Sequence, residues 1–238
     1  SLPLMASAQG WSESPSQALA RRILADTELD EVLRRGRALL TTGLTAGEGY
    51  GEVWIRDLNT FIEIALEVNP PALLREALLT FFRFQGADGN IVDGYIPEAK
   101  ANISYKYRRS DLAPGLLAHK NTVETDQESS LVQAVARYCR ITGDRTLLEE
   151  NVGGIRVSER LENALAYLLA DRYSPEYGLL WGATTADWGD VQPEHEWGVE
   201  LDEHSHRAID IYDNALFLVA IEEWIQLQHG VPGLTHRW

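Results

Sequence analysis

The sequence predicts an all-α domain built from helical hairpins, and three observations support this class. Apolar residues recur at intervals of three and four along most of the chain, as on one face of a helix. Glycine or proline follows nearly every such run, where helices commonly stop. The chain has 238 residues, 45% hydrophobic and 24% charged, which is enough to enclose a core. We expect residues 1–15 to form an N-terminal extension and residues 16–238 to form a single domain.

Six helices are predicted, with long polar loops between some of them. The predicted helical segments are 16–43, 52–70, 71–86, 123–144, 156–173 and 208–230. Helix pairs alternate with loops at 86–121 and 173–208, a pattern typical of stacked helical hairpins. The first loop contains "GNIVDGYIPE", in which Asp93 and Gly94 predict the turn of a short β-hairpin. Ordered loops this long commonly carry function.

Charge and composition exclude several function classes. A net charge of -15 and a pI near 4.8 repel phosphate backbones and anionic membrane surfaces. Nucleic acid and membrane are therefore poor partners, and a neutral substrate fits best. No apolar run reaches the ~18 residues that a membrane span requires, so we expect a soluble protein. Cys139, the only cysteine, lies at a helical core position, which predicts a buried structural thiol.

The motif "VWIRDLNTF" places two charges at the start of an apolar helix. Arg56 and Asp57 directly follow Trp54 and Ile55, on a helix that is apolar on most sides. A buried arginine requires a carboxylate or several acceptors. At the mouth of a cavity, this pair could bind sugar hydroxyls. The alternative is an acid in the first turn of the helix beside a solvated arginine.

Acceptor side chains also cluster where the 86–121 loop meets the next helix. Glu124 and Asp126 stand in "NTVETDQESSL", in which Thr125 and Glu128 fit a capping box. Either the acids belong to this helix start, or Glu124 and Asp126 contact a ligand.

The last predicted helix begins with "DIYDNALFL". Asp210 or Asp213 could cap this helix, and Asn214 is a candidate substrate contact.

Two carboxylates flank a tryptophan in "GATTADWGDVQPE", a stretch too rich in glycine and proline to be helical. Asp187 and Asp190 lie on either side of Trp188. Sugar rings stack on aromatic faces, and an aromatic neighbour desolvates a carboxyl and raises its pKa, as glycoside cleavage by a general acid requires. The alternative is an acidic surface turn in which Trp188 fills a gap.

The segment "EHEWGVELDEHSHRA" is dense in histidines and acids, but its spacing does not indicate a transition-metal site. His204 and His206 are two residues apart, and no H-E-x-x-H helix occurs. The oxygen-rich composition suits calcium better than zinc. We expect no cofactor, with calcium as the weaker alternative. The sequence also contains no phosphate-binding loop and no nucleophile elbow.

Taken together, these motifs resemble the six-hairpin (α/α)6-barrel glycosidases, the superfamily of glucoamylase, trehalase, amylo-alpha-1,6-glucosidase and cellobiose phosphorylase. The similar segments, over about residues 20–225, are "WIRD", "YCRITGDRTLLEEN", "YGLLWGATTADWGD" and "IYDNALFLVAIE". The resemblance implies that Asp190 is the general acid, with Asp187 as the competing choice. It implies that Arg56 and Asp57 hold the terminal sugar, and that the stacking walls are Trp54, Trp181 and Trp188.

The resemblance implies a toroid of helical hairpins, of which this chain supplies about half. A complete toroid has twelve helices, and the general base of these enzymes usually lies in the second half. Three arrangements are compatible with the sequence: a truncated barrel, a homo-oligomer that covers the open helix edge, and an inactive half-barrel.

The first hypothesis is an inverting, exo-acting glycoside hydrolase for a neutral glycoside such as a glucoside. The alternative is a catalytically inactive carbohydrate-binding or assembly module of the same fold. A phosphorylase would require a phosphate pocket, and the sequence does not group the residues available for one, which are Arg156, Arg160 and His119.

Overall fold

The computed structural model describes residues 14–47, 49–101, 106–183 and 200–229, and this part of the chain is mostly helical. The helices of the described residues are α1 (Pro15–Leu24), α2 (Thr27–Leu40), α3 (Ile55–Val68), α4 (Pro71–Arg83), α5 (Gln127–Thr142), α6 (Val157–Asp171) and α7 (Ile211–Gln228). Each predicted helical segment from residue 52 onward contains one of the helices α3 to α7. The predicted all-α class is therefore confirmed at the level of a mostly helical protein.

The first predicted helix is wrong in one respect, because segment 16–43 forms two helices. The carboxylate of Asp26 accepts hydrogen bonds from the backbone N–H groups of Glu28 and Leu29 and thereby starts α2. An aspartate that accepts backbone bonds in this way favours the N-cap position over the interior of a helix. The apolar spacing continues through the break, so periodicity alone predicts one helix.

Helices α3, α5 and α7 pack side by side, with α4 and α6 against α5. Gln133 of α5 links the three, since its amide donates to the carbonyl of Leu216 in α7 and accepts from Asn59 in α3. Near the other end of α5, Arg140 reaches Glu63 of α3 and Glu223 of α7. These side chains meet at matching heights along the helices, so α3, α5 and α7 run in the same direction. Helices α4 and α6, which alternate with them along the chain, form a second layer.

The core lies between these two layers. Leu58 and Ile62 of α3, Leu131 of α5, and Ala220 and Trp224 of α7 are fully buried. Each large apolar side chain that is removed from water in this way contributes roughly 1.5–3 kcal/mol. Cys139 of α5 belongs to this core, as the sequence predicts, and burial raises the pKa of its thiol to about 12.

Short strands join the helices at the ends of the bundle. They are β1 (Val53–Trp54), β2 (Gly94–Pro97), β3 (Leu116–His119), β4 (Asn151–Val152), β5 (Ile155–Arg156), β6 (Tyr173–Ser174), β7 (Leu179–Leu180), β8 (Gly182–Ala183) and β9 (Arg207–Ala208). β1, β2 and β3 form an antiparallel sheet in that order, and β4–β5, β6–β7 and β8–β9 form two-stranded pairs.

The predicted hairpin turn at Asp93 and Gly94 is wrong. Gly94 begins β2, the central strand, where it pairs with Trp54 on one side and His119 on the other. A Cβ atom at Gly94 would lie 2.8 Å from Cε3 of Trp54. Glycine is therefore required here so that the indole can pack on the backbone, and not for a turn.

Within the described ranges, none of the helices combines the length and the apolar character needed to cross a bilayer.

Candidate functional site

The N-terminal ends of α3, α5 and α7 meet at one end of the bundle, where they form a polar cluster. Arg56 lies in the first turn of α3, Asp126 is the N-cap of α5, and Tyr212 lies in the first turn of α7. We call these three residues, together with Glu124, the helix-start cluster. Strand β1 leads directly into α3, and strand β3 is the last strand before α5.

Arg56 is the centre of the helix-start cluster. Its Nε atom lies 2.6 Å from Oδ2 of Asp126, and its Nη2 atom lies 2.7 Å from Oε2 of Glu124. The hydroxyl of Tyr212 donates to the same Oδ2 of Asp126 at 3.1 Å. Arg56 is buried and paired with two carboxylates, so the alternative of a solvated arginine is wrong, and its binding of sugar hydroxyls stays a prediction.

Burial alone would lower the pKa of Arg56, but the nearby charges of Asp126 and Glu124 and their hydrogen bonds raise it above its ordinary value. The guanidinium is therefore permanently charged. Asp126 is fully buried and Glu124 is 3% exposed. In this structure both carboxylates therefore pair with Arg56 and not with solvent. Their predicted contact with a ligand stays a prediction. Asp57, the next residue of α3, is partly exposed.

A second buried ion pair lies directly beside the helix-start cluster. Nζ of Lys120 lies 2.8 Å from Oε1 of Glu128, and Lys120 also donates to the side-chain carbonyl of Gln127. The same Oε1 of Glu128 accepts the backbone N–H of Ile91. The amide of Gln127 donates to Oε2 of Glu124 at 3.2 Å and so joins this pair to the cluster.

The capping box predicted from Thr125 and Glu128 is wrong. No side chain caps α5, because Glu128 is engaged by Lys120, and the hydroxyl of Thr125 donates to the carbonyl of Trp181. The clustering of acceptors at this helix start is therefore explained by tertiary contacts. Sequence reasoning missed Lys120 altogether. Its only sequence signal is a charged residue directly after the apolar run of β3.

His119 and Trp54 form an aromatic contact on the sheet side of the site. Their rings meet edge to face with centroids 4.8 Å apart, and Trp54 is partly exposed. The Nδ1 atom of His119 lies 3.8 Å from Oδ2 of Asp93, which is too long for a hydrogen bond. Burial lowers the pKa of His119 to about 4, so this imidazole is neutral at pH 7.

Trp181, predicted as a stacking wall, lies between two arginines. The guanidinium carbons of Arg172 and Arg207 lie 4.7 Å and 4.3 Å from the centre of a ring of its indole. Arg172 is 3% exposed, whereas Arg207 is open to solvent. A sugar that stacks on the indole would have to displace Arg207.

Asn214, predicted as a substrate contact, has its amide engaged by backbone. Its Oδ1 atom accepts the N–H of Leu180 at 2.9 Å, and its Nδ2 atom donates to the carbonyls of Leu180 and Asp210. Asp210 is the N-cap of α7, one of the two caps that the sequence offers. Asn214 thus holds β7 against α7, and substrate contact stays a prediction.

The predicted general acid lies outside the described residues. Asp187, Trp188 and Asp190 all fall within residues 184–199, which also include part of the segment dense in histidines and acids. Among the described residues, no group of three or more histidine, cysteine, aspartate or glutamate side chains is arranged to hold a metal ion. The calcium alternative therefore gains no support from them.

Comparison with known proteins does not assign the chain to a family. Its sequence matches no protein-family profile and no curated protein.

Proposed function

We propose that this chain is a glycoside hydrolase that cleaves neutral glycosides such as glucosides in an exo-acting, inverting manner. Its layer of parallel helices α3, α5 and α7, backed by α4 and α6, would be about half of an (α/α)6 toroid. The carbohydrate is the partner, and no organic cofactor takes part. The polar end of the helix layer would be the floor of the sugar site.

Support for a sugar site comes from the helix-start cluster and the aromatic contact beside it. Carbohydrate sites combine a ring face for stacking with charged groups that form hydrogen bonds to hydroxyls. Trp54 is partly exposed, and Asp57 next to Arg56 is partly exposed as well. Arg56, fixed in place by Asp126 and Glu124, would hold the hydroxyls of the terminal sugar.

One observation supports a catalytic role for the segment that contains Asp187 and Asp190. The backbone N–H of Ala183 donates to the carbonyl of Val123, and the N–H of Leu201 donates to the hydroxyl of Thr122. Ala183, directly before segment 184–199, and Leu201, two positions after it, are thus fixed to residues 122–123, a few positions before Asp126. A segment with Asp187, Trp188 and Asp190 therefore leaves and rejoins the described structure close to the helix-start cluster.

In the proposed reaction, Asp190 protonates the glycosidic oxygen as the bond to the anomeric carbon breaks, with Asp187 as the competing donor. A water molecule attacks the opposite face of the sugar and loses its proton to a carboxylate. Inverting enzymes keep these two carboxyl groups roughly 6.5–9.5 Å apart. Trp188 would desolvate the acid and raise its pKa, and Trp181 would line the same approach.

The test is an activity screen with 4-nitrophenyl glycosides of several sugars and both anomers, followed by proton NMR of the first product. We expect release of nitrophenol from one sugar with inverted anomeric configuration. On a glycoside with a poor leaving group, such as the methyl glycoside of the same sugar, Asp190→Asn should lower kcat by at least about 100-fold, in the range of general-acid catalysis. The matched control is Asp111→Asn, an exposed acid in the 106–115 loop. Full activity of both Asp190→Asn and Asp187→Asn contradicts the assignment.

The alternative function, an inactive carbohydrate-binding module, is favoured by the engagement of Asp126 and Glu124 with Arg56. Such a module would keep the sugar-binding residues and have no general base for catalysis. Isothermal titration with the same free sugars distinguishes the two functions, because binding without turnover in the screen favours the module.

A second copy of the chain is the protein partner that we propose. Helix α7 is apolar on most of its surface, and it leaves Ile211, Leu218 and Val219 exposed at 87%, 63% and 42%. An inner helix of a toroid would be covered on this side, and oligomerisation would remove the exposed apolar face from water.

A further inference from the structure

An aromatic pocket of about 580 Å³ lies beside the β6–β7 hairpin and strand β9. Its described lining includes three aromatic side chains (Tyr173, Tyr177 and Trp181), two aliphatic ones (Leu179 and Ile209), and Arg207. This volume lies in the range of pockets that take small organic ligands, roughly 300–1,000 Å³. The proposed glycosidase chemistry makes no use of this pocket beyond the indole of Trp181.

The β6–β7 hairpin forms one wall of the pocket. β6 and β7 pair with Tyr173 opposite Leu180, and the N–H of Gly178 donates to the carbonyl of Ser174 at 2.8 Å. Gly178 has a φ of +68°, which closes the tight turn and leaves Tyr177 63% exposed at its tip. Exposed tyrosine and leucine on a hairpin tip form a surface for a flat apolar group.

The described part of the lining is unusual for this acidic chain because it carries a cation without an acid. None of its nine described residues is acidic, although the chain has 36 aspartates and glutamates against 21 lysines and arginines. Arg207 has no carboxylate partner among the described residues, and its guanidinium carbon lies 4.3 Å from the centre of a ring of the Trp181 indole. An arginine that stacks flat on an indole keeps its in-plane N–H groups available for a bidentate anion.

The lining favours an aromatic ligand over a sugar. A sugar site commonly adds carboxylate or amide side chains to its aromatic face, and none of the nine described lining residues supplies either group. We propose that this pocket binds a small aromatic carboxylate, whose ring packs on Tyr177 and Leu179 while its carboxylate pairs with Arg207. Arg172, buried on the same tryptophan, is already paired with Asp171, so Arg207 is the cation that faces the ligand. This inference does not depend on the proposed glycosidase activity.

The test is isothermal titration of the full chain with three probes at pH 7: 2-naphthoate, the neutral isostere 2-naphthamide, and glucuronate, an anionic sugar. We expect naphthoate to bind roughly fivefold more tightly than naphthamide, since an exposed ion pair contributes up to about 1 kcal/mol. Glucuronate should not bind measurably. The preference for naphthoate should decrease as salt is added, because the pair is open to solvent.

Two variants and one control complete the test. Arg207→Gln should equalise the two naphthyl ligands, and Tyr177→Ala should weaken both by a similar factor. Arg22→Gln, an exposed arginine of α1, should change neither. Circular dichroism verifies that each variant is folded. Failure of naphthoate to bind, equal affinities for the acid and the amide, a preference that survives in Arg207→Gln, or tighter binding of glucuronate would each overturn the proposal.

Discussion

Arg56 and Asp126 stand seventy positions apart in the chain, yet Nε of the arginine lies 2.6 Å from a carboxylate oxygen of the aspartate inside the protein. The pair joins the start of α3 to the start of α5, and Glu124 completes it at 2.7 Å. The sequence signal for this contact is weak, because each partner taken alone is an ordinary residue at a helix start.

Replacement of Arg56 should be strongly destabilising. Arg56→Met leaves two buried carboxylates facing each other, and removal of one partner of a buried ion pair costs about 3–5 kcal/mol. Guanidinium-induced unfolding measures this loss. Arg56→Lys keeps the charge without the bidentate geometry, so its free energy of unfolding should lie between those of the original chain and Arg56→Met.

The matched control for Arg56 is Arg35→Met on α2. Arg35 is exposed and pairs with Glu31, so its loss should change the free energy of unfolding by less than about 1 kcal/mol. If Arg56→Met and Arg35→Met have equal stability, the buried pair does not contribute as described.

His119 should make stability depend on pH. Its pKa of about 4 in the folded protein lies below the ordinary value of 6.5, so the unfolded chain binds more protons between these pH values. The free energy of unfolding should therefore decrease as the pH falls from about 6.5 to about 4, by up to about 3 kcal/mol from this group.

The contribution of His119 is isolated by His119→Phe, which keeps an aromatic ring against Trp54. The pH dependence of this variant, measured by urea unfolding between pH 4 and 7, should be flatter than that of the original chain. Burial raises the pKa of Glu223, and this shift increases the free energy of unfolding as the pH falls. Because both proteins contain Glu223, its effect cancels when their pH profiles are subtracted. His204→Gln, at an exposed histidine, should leave the slope unchanged. Parallel curves for His119→Phe and the original chain would contradict this prediction.

Gly94 should tolerate no side chain. In Gly94→Ala the new Cβ would lie 2.8 Å from the indole of Trp54, so the ring must move, at a cost of about 1–3 kcal/mol. Gly36→Ala is the control, because nothing lies within 4 Å of its Cβ position in helix α2. That change should stabilise the protein by roughly 0.5–1 kcal/mol. Thermal unfolding compares the two, and a stable Gly94→Ala protein would show that Trp54 does not pack on β2.

The exposed face of α7 should mediate self-association. Light scattering across a range of protein concentrations should show a dimer that dissociates on dilution, and Leu218→Glu should shift it to monomer without loss of helix content. Leu169→Glu on α6, 38% exposed, is the control and should leave association unchanged. A monomer at all concentrations contradicts the proposed partner.

The sequence predicted helices α3 to α7 well because their apolar periodicity is long and glycine or proline marks their ends. It failed where tertiary contacts override local signals. Asp93 and Gly94 have the composition of a turn, yet the backbone of Asp93 bonds to Ile55 and His119 from distant segments. Lys120 has no local pattern at all, because its acceptors are defined only once α5 is placed. Contacts between residues that are far apart in the chain produce no periodic pattern in a single sequence.

The common direction of α3, α5 and α7 has an electrostatic consequence. Each helix carries a macrodipole with about half a positive elementary charge at its N-terminus, and here three such termini converge on one patch. This field stabilises ionised carboxylates and makes a proton harder to retain there. This end of the bundle therefore favours groups that accept protons and hydrogen bonds over groups that must retain a proton.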